Sequence, residues 1–410
     1  MNSATLFYLI GFILIAKFAV DTVLDYLNAK KFRDPIPIEL ADVYDEAAYS
    51  KSQLYKRTNY SFGLLSSLFS LLLTLGFLWF GGFEWVDAFV RGITTEPVTM
   101  ALLFFGLIIL GSDLIMLPFS YYRTFVIEEK FGFNKSSRKL FFLDKIKGWG
   151  MLAVLGGGML AGIIWFFQWA GTSFWLYAWG LIALFSIVMN LFYSRLIVPL
   201  FNKQTPLEDG PLKDKIQGYA KKVGFELKNI FVIDGSKRTT KANAYFSGFG
   251  KEKRVTLYDT LINELNENEI VAVLAHEVGH YKKNHIVVNL TTSILVTGIT
   301  LYLLSLFVNN PEVAMAIGVT TPSFHAALIG FGILYSPISE LTGLAMNYLS
   351  RKFEYEADNY AKETYEAPPL VSSLKKLSRN SLSNLTPHPA YVFMHYSHPP
   401  LIDRVRNLRA

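Results

Sequence analysis

His276-Glu277-Val278-Gly279-His280 stands a few residues before an apolar run, 286–308, long enough to cross a bilayer. On a helix, histidines at i and i+4 leave the same face and can grip one Zn²⁺. Glu277 between them can then act as a base on a water that the metal activates. A hydrolytic metal helix that leads into a membrane span sets the expected architecture, with zinc chemistry at the edge of a bilayer. Asn266 followed by Glu269 fits a capping box that opens this helix, and Asn284-His285 marks its expected end.

The composition agrees with a membrane protein. Of 410 residues, 51% are hydrophobic and 15% aromatic, and the apolar residues are gathered into long blocks. Seven segments read as spans, at about 5–26, 60–83, 97–121, 148–170, 173–199, 286–308 and 322–350. A tight turn near Gly171 separates the fourth from the fifth. Ser336-Pro337 is expected to interrupt the seventh. The first block, 6–23, has no basic stretch before it and no small-residue cleavage site after it, so it reads as a retained helix. The chain has no cysteine, which excludes disulfides and thiolate metal sites and leaves histidine and carboxylate as metal ligands.

The net charge of +6 is explained by where the basic residues fall. Six lie between Lys30 and Arg57, and seven between Arg123 and Lys147. The connections on the opposite side carry Arg91 in 84–96 and no basic residue in 309–321. This asymmetry predicts a cytosolic C-terminus and an N-terminus outside, and makes the charge a topology signal instead of a nucleic-acid signal.

The spans divide the chain into four parts. Residues 1–200 hold five spans, 201–285 a cytosolic zinc domain with the H-E-V-G-H helix, 286–350 the last two spans, and 351–410 the rest of the zinc domain. A helix is expected over 212–223, closed by Gly224. Runs 229–234, 242–249 and 254–258 read as a small antiparallel sheet.

Two histidines need a third protein ligand, with the fourth position left to water. The best source is Arg351-Lys352-Phe353-Glu354-Tyr355-Glu356-Ala357-Asp358. Glu354 can ligate the metal, and Asp358, one turn on, can accept a hydrogen bond from the remote N–H of a ligating histidine. Glu356 points to another face. His398 and Arg404, in Ser-His-Pro-Pro-Leu-Ile-Asp-Arg, are candidate donors to the tetrahedral oxyanion, while Glu277 shuttles the proton to the leaving amine. His285 and Asn284 either pack near the site or cap the helix. His325, His388 and His395 are read as non-ligands. Asp113 and Glu340 fall inside expected spans, where a carboxylate seeks a polar interior or a partner.

Together these motifs resemble the integral-membrane zinc metalloproteases of the CAAX prenyl protease 1 type. The resemblance extends over nearly the whole chain. It rests on H-E-V-G-H-Y-K-K-N-H, F-V-I-E-E-K-F-G-F-N-K (125–135), V-P-L-F-N-K (198–203), N-A-Y-F-S-G-F-G (243–250), S-R-K-F-E-Y-E-A-D (350–358) and S-H-P-P-L-I-D-R (397–404). It implies Glu354 as third ligand, Asp358 as its supporting carboxylate, and His398 and Arg404 as active-site residues. It also implies that Asn243-Ala244-Tyr245 lies on an edge strand that binds substrate backbone by strand addition. The implied fold is mainly α: seven transmembrane helices around an aqueous chamber, walled in part by Asp113 and Glu340, with a small α+β domain of gluzincin type.

One Zn²⁺ per chain, a peptide or protein substrate that is prenylated in the eukaryotic relatives, a lipid bilayer, no nucleic acid and a monomer are the expected partners and state. The expected location is the endoplasmic reticulum membrane for a eukaryotic chain and the inner membrane for a bacterial one. Two other readings differ in class or substrate. One is a quality-control protease of the HtpX type, which has fewer spans. The other is a transport protein with a structural zinc site, which would have no use for Glu277 as a base.

Overall fold

The computed structural model describes residues 1–225, 227, 229–247 and 253–410. The sequence dictates long helices whose starts are capped by polar side chains. Asn2 accepts from the Thr5 N–H, Asp45 from Ala48, Ser137 from Leu140 and Ser323 from Ala326. Each satisfies one of the amides that a helix N-terminus leaves unpaired.

Among the described residues, six helical stretches are long and apolar enough to cross a membrane. The fourth, 138–201, is 64 residues long and holds both the fourth and the fifth expected segments. It doubles back between helices Gly157–Ala170 and Phe174–Leu196. The reversal sits at Gly171, where φ is 55° and a side chain would be strained. The two arms pack closely, because a Cβ at Gly162 would come within 2.8 Å of Leu181.

The last long helix departs from the expected interruption at Ser336-Pro337. It runs unbroken as Phe324–Thr364, with Pro337 inside it. The membrane helix and the segment carrying Glu354 and Asp358 are therefore one rod. The 84–96 connection also contains more than a loop. Helix Gly82–Arg91 turns Phe83, Val86 and Val90 into a buried cluster.

The long helices are buried at their ends and not in their middles. Glu46–Trp79 buries Ser52 at one end and Leu75 and Leu78 at the other. Phe324–Thr364 buries residues in 325–331 and again in 353–361. Among the described residues two separate apolar cores result. One joins Ile10, Leu78, Phe104, Phe174, Leu304 and Phe331. The other surrounds the motif helix and includes Ile127, Ile216, Leu257, Ile270, Leu274 and Val405.

The carboxylates within the spans have partners. Asp113 accepts from Lys145 Nζ at 2.8 Å and from Trp149 Nε1 at 2.7 Å. Glu340 pairs with Lys17 on the first helix.

Among the described residues the sheet has four strands, β1 (Gln204–Pro206), β2 (Asn229–Ile233), β3 (Ala244–Ser247) and β4 (Arg254–Tyr258), in the order β1-β2-β4-β3. The expected all-antiparallel arrangement is corrected here, because β2 and β4 run parallel. β3 and β4 form the antiparallel pair, and β4 inserts between β3 and β2. Strand periodicity reports which face is buried but says nothing of neighbour or direction. The end of the expected strand 242–249, at residues 248 and 249, lies outside the described residues. Helix Pro211–Lys222 and the turn at Gly224, with φ of 60°, match the expected helix and stop.

Candidate active site

The motif helix, Glu267–Lys282, begins with a complete capping box. Asn266 accepts from the Glu269 N–H, and Glu269 accepts from the Asn266 N–H. The side-chain carboxylate of Glu269 is further held by Ser372 and Lys376. The helix is buried on most of its circumference, and it crosses the C-terminal part of helix Phe324–Thr364 at Gly279. With no Cβ at that position, the two backbones approach closely enough for Glu354 to reach the two histidines.

His276, His280 and Glu354 each offer a ligand atom within 4.8 Å of the others. His276 Nε2 is 3.1 Å from His280 Nε2. Glu354 Oε2 is 3.5 Å from His276 Nε2, and Oε1 is 3.3 Å from His280 Nε2. Glu354 Oε2 is buried and lacks a well-aligned hydrogen bond, with ion-pair contacts to His276 Nε2 and Arg404 Nη1 instead. Two imidazole nitrogens and a buried carboxylate converge. A divalent metal ion fits this donor set, because it satisfies all three groups at once.

Behind these three side chains stands a second layer. His276 turns its other nitrogen, Nδ1, to Asp358 Oδ1 at 2.9 Å. Asp358 is fully buried and receives a two-pronged contact from Arg404, at 2.9 Å from Nε and 2.6 Å from Nη2. Arg404 Nη1 also stands 3.3 Å from Glu354 Oε2. Burial opposes the charge on His276, but its bonds to Asp358 and Glu354 outweigh this and push its pKa up to about 9. Burial likewise opposes the Arg404 charge, and the Asp358 carboxylate more than offsets it.

The structure separates two residues that the sequence had paired as oxyanion donors. Arg404 is buried, and its nitrogens face Asp358, Glu354 and His276. His398 is exposed on the open side, with Nε2 3.2 Å from Glu354 Oε1 and Nδ1 3.0 Å from Ser397 Oγ. Glu277 is part-exposed on the motif helix, within electrostatic reach of Arg404.

β3 forms an outer strand of the sheet, paired on one side to β4. Phe246 of β3 packs on Tyr281, the residue after His280, with ring centroids 5.6 Å apart. The strand therefore runs beside the motif helix. Tyr245 Oη lies 3.4 Å from Ser194 Oγ, and the Asn243 side chain accepts from the Ala244 N–H.

His285, which the sequence left open, packs against the site with Nδ1 3.0 Å from His280 Nδ1. The available signal was a histidine just past the break in the motif helix. His325 is paired with buried Asp87, His388 caps helix Pro389–His395, and His395 packs on Tyr391.

Known proteins resemble this chain over nearly its whole length. Residues 25–203 match the model of the CAAX prenyl protease N-terminal region, described as five membrane helices, and residues 206–410 match peptidase family M48. The CAAX prenyl protease 1 homolog of Arabidopsis thaliana is 36% identical, with 97% of this chain and 96% of that protein covered. CAAX prenyl protease 1 of Saccharomyces cerevisiae is 36% identical, with 96% and 93% covered. The crystal structure of S. mikatae Ste24p superposes with a TM-score of 0.94 at 34% identity, covering 99% of each chain.

Proposed function

This chain belongs to the M48 peptidase family, and from that premise we propose that it binds one zinc ion through His276, His280 and Glu354 and cleaves peptide bonds at the membrane edge. It is a multi-pass membrane metalloprotease of the CAAX prenyl protease type. The proposed substrates are proteins with a prenylated C-terminus, the class named in its relatives. The convergence of His276, His280 and Glu354 on one point carries this reading.

Held by His276, His280 and Glu354, zinc would supply Lewis-acid polarisation at the attacking water and the scissile carbonyl. Glu277 takes the proton of that water and passes it to the leaving amine. His398, on the open side next to Glu354, donates to the oxygen that gains charge in the transition state. Asp358 accepts from His276 Nδ1 and so directs Nε2 toward the metal, while Arg404 holds Asp358 in place. β3 receives the substrate backbone as an added strand along Asn243-Ala244-Tyr245, where Ala244 presents its backbone to the open edge.

Around this site we assign seven spans, counting the two arms of 138–201 separately, with the gluzincin-type domain in the cytosol. The parts 1–200, 201–285, 286–350 and 351–410 retain the division drawn from the sequence. Helix middles that are buried on neither side favour a ring around an aqueous chamber. The Lys17–Glu340 pair within the spans suits a watered wall better than lipid. A monomer is sufficient, since the ligands come from one chain.

The test is cleavage of a prenylated peptide by wild type and Glu277→Ala at matched zinc content. The variant is expected to keep its metal and lose turnover by several orders of magnitude. Unchanged turnover would remove Glu277 as the base.

A further inference from the structure

We propose that His285 is a positioning residue for His280, in a hydrogen-bond chain anchored on Glu356; this rests on the zinc-site reading above. His280 presents Nε2 to the site, 3.1 Å from His276 Nε2 and 3.3 Å from Glu354 Oε1. Its remote nitrogen, Nδ1, lies 3.0 Å from His285 Nδ1. His285 Nε2 in turn lies 2.9 Å from Glu356 Oε2.

The chemistry of imidazole gives this chain one direction when a metal is bound. A neutral His280 with its Nε2 lone pair on the metal carries its proton on Nδ1. That proton is donated to His285 Nδ1, which must be the acceptor. The His285 proton then sits on Nε2 and is donated to the Glu356 carboxylate. Each bond sets the tautomer of the next ring, and the carboxylate end raises the basicity of His280. His276 is served directly by Asp358, whereas His280 is served by a carboxylate at one remove.

The backbone is built for this contact. On a continuous helix, a residue five positions after His280 would lie about 140° around the axis and face away from it. The motif helix instead stops at Lys282, and Asn284 takes φ of 60° before helix His285–Phe307 begins. That left-handed joint turns His285 back toward His280. Asparagine is among the few non-glycine residues that adopt this conformation readily. The His285 ring is buried to 2% exposure and stacks on Phe353, with centroids 4.0 Å apart and planes 10° from parallel. Phe353 is the neighbour of Glu354, so one turn of helix supplies the ligand, the stacking ring and the anchor.

The experiment measures zinc affinity by chelator competition, and the visible spectrum of the cobalt-substituted protein, on the full chain in detergent. Wild type, His285→Phe, His285→Asn and Glu356→Ala are compared. His285→Phe is expected to bind zinc 10–100-fold more weakly with an altered cobalt spectrum. His285→Asn is expected to recover most of that loss, because its amide can accept from His280 and donate toward Glu356. Glu356→Ala should lose several-fold in affinity. Variants His285→Phe and Glu356→Ala that bind within twofold of wild type overturn the proposal. So does a weak His285→Phe with no recovery in His285→Asn and no effect of Glu356→Ala, since His285 would then act by packing alone. If His285→Phe does not fold, the half-buried Glu356 decides the matter. A wild type that binds no zinc defeats the zinc-site reading itself, which separates that failure from this one.

Discussion

A Cβ placed on Gly279 would lie 3.0 Å from the Cα of Ala357 and 3.1 Å from its carbonyl oxygen. The contact is backbone against backbone, so neither side can yield by rotating a side chain. It sets the gap across which Glu354 reaches the two histidines. Gly279→Ala should force the helices apart at a cost of about 1–3 kcal/mol. Zinc affinity should fall with it, although every ligand remains. Thermal unfolding and zinc titration in detergent check both effects, and a variant that retains full affinity would show that the gap is not critical.

Arg404 and Asp358 form a buried pair, so removing one partner strands the other. Arg404→Ala should cost about 3–5 kcal/mol of stability by leaving the Asp358 charge uncompensated. Arg404→Lys should recover only part of this, because an ammonium cannot reproduce the two-pronged contact. Denaturant unfolding of the metal-free proteins compares them. Equal stability of all three would contradict the role assigned to the pair.

The metal-free site should hold a proton on His276 at neutral pH. Its pKa of about 9 is above the unfolded value near 6.5, as its bonds to Asp358 and Glu354 outweigh burial. The sign follows from linkage. In the metal-free protein this bound proton stabilises the fold fully below pH ~6.5, and the gain is lost as pH rises through ~9. Zinc must displace the same proton. Calorimetry in buffers of different ionisation enthalpy should show about one proton released per zinc at pH 7, declining above pH ~9. No release at pH 7 would show that His276 is already neutral.

Strand addition depends on the outward amides of β3. The Tyr258 N–H donates to the Asn243 carbonyl, which sets the alternation of the β3–β4 ladder. Tyr245 and Ser247 then pair inward, and Ala244 and Phe246 face the open edge. Ala244→Pro removes one outward N–H, which here donates to the Asn243 side chain and which a substrate carbonyl would take over, and leaves the ladder to β4 intact. One hydrogen bond of about 0.5–1.5 kcal/mol corresponds to a roughly 2–10-fold rise in peptide KM. Zinc content should not change. A KM that stays at the wild-type value would move the substrate away from β3.

Local chemistry was legible in the chain. The spacing of His276 and His280 on a helix, the capping box at Asn266 and Glu269, and the stop at Gly224 each depend on residues within a turn or two. Glu354 and Asp358 were legible as candidates because they too share one helix face at i and i+4. The long apolar blocks were equally plain, since bilayer thickness sets their length.

What tertiary structure alone decided involves distant partners or backbone direction. The parallel pairing of β2 with β4 is invisible to a periodicity that records only faces. The Arg404 guanidinium is buried against Asp358, behind His276 and Glu354, which spacing in 397–404 does not report. His285 returned to His280 through a single left-handed residue, Asn284, whose φ no composition reveals. Short-range order follows from the residues themselves; the meeting of Gly279 with Ala357 depends on two helices far apart in sequence finding the one approach their shapes allow.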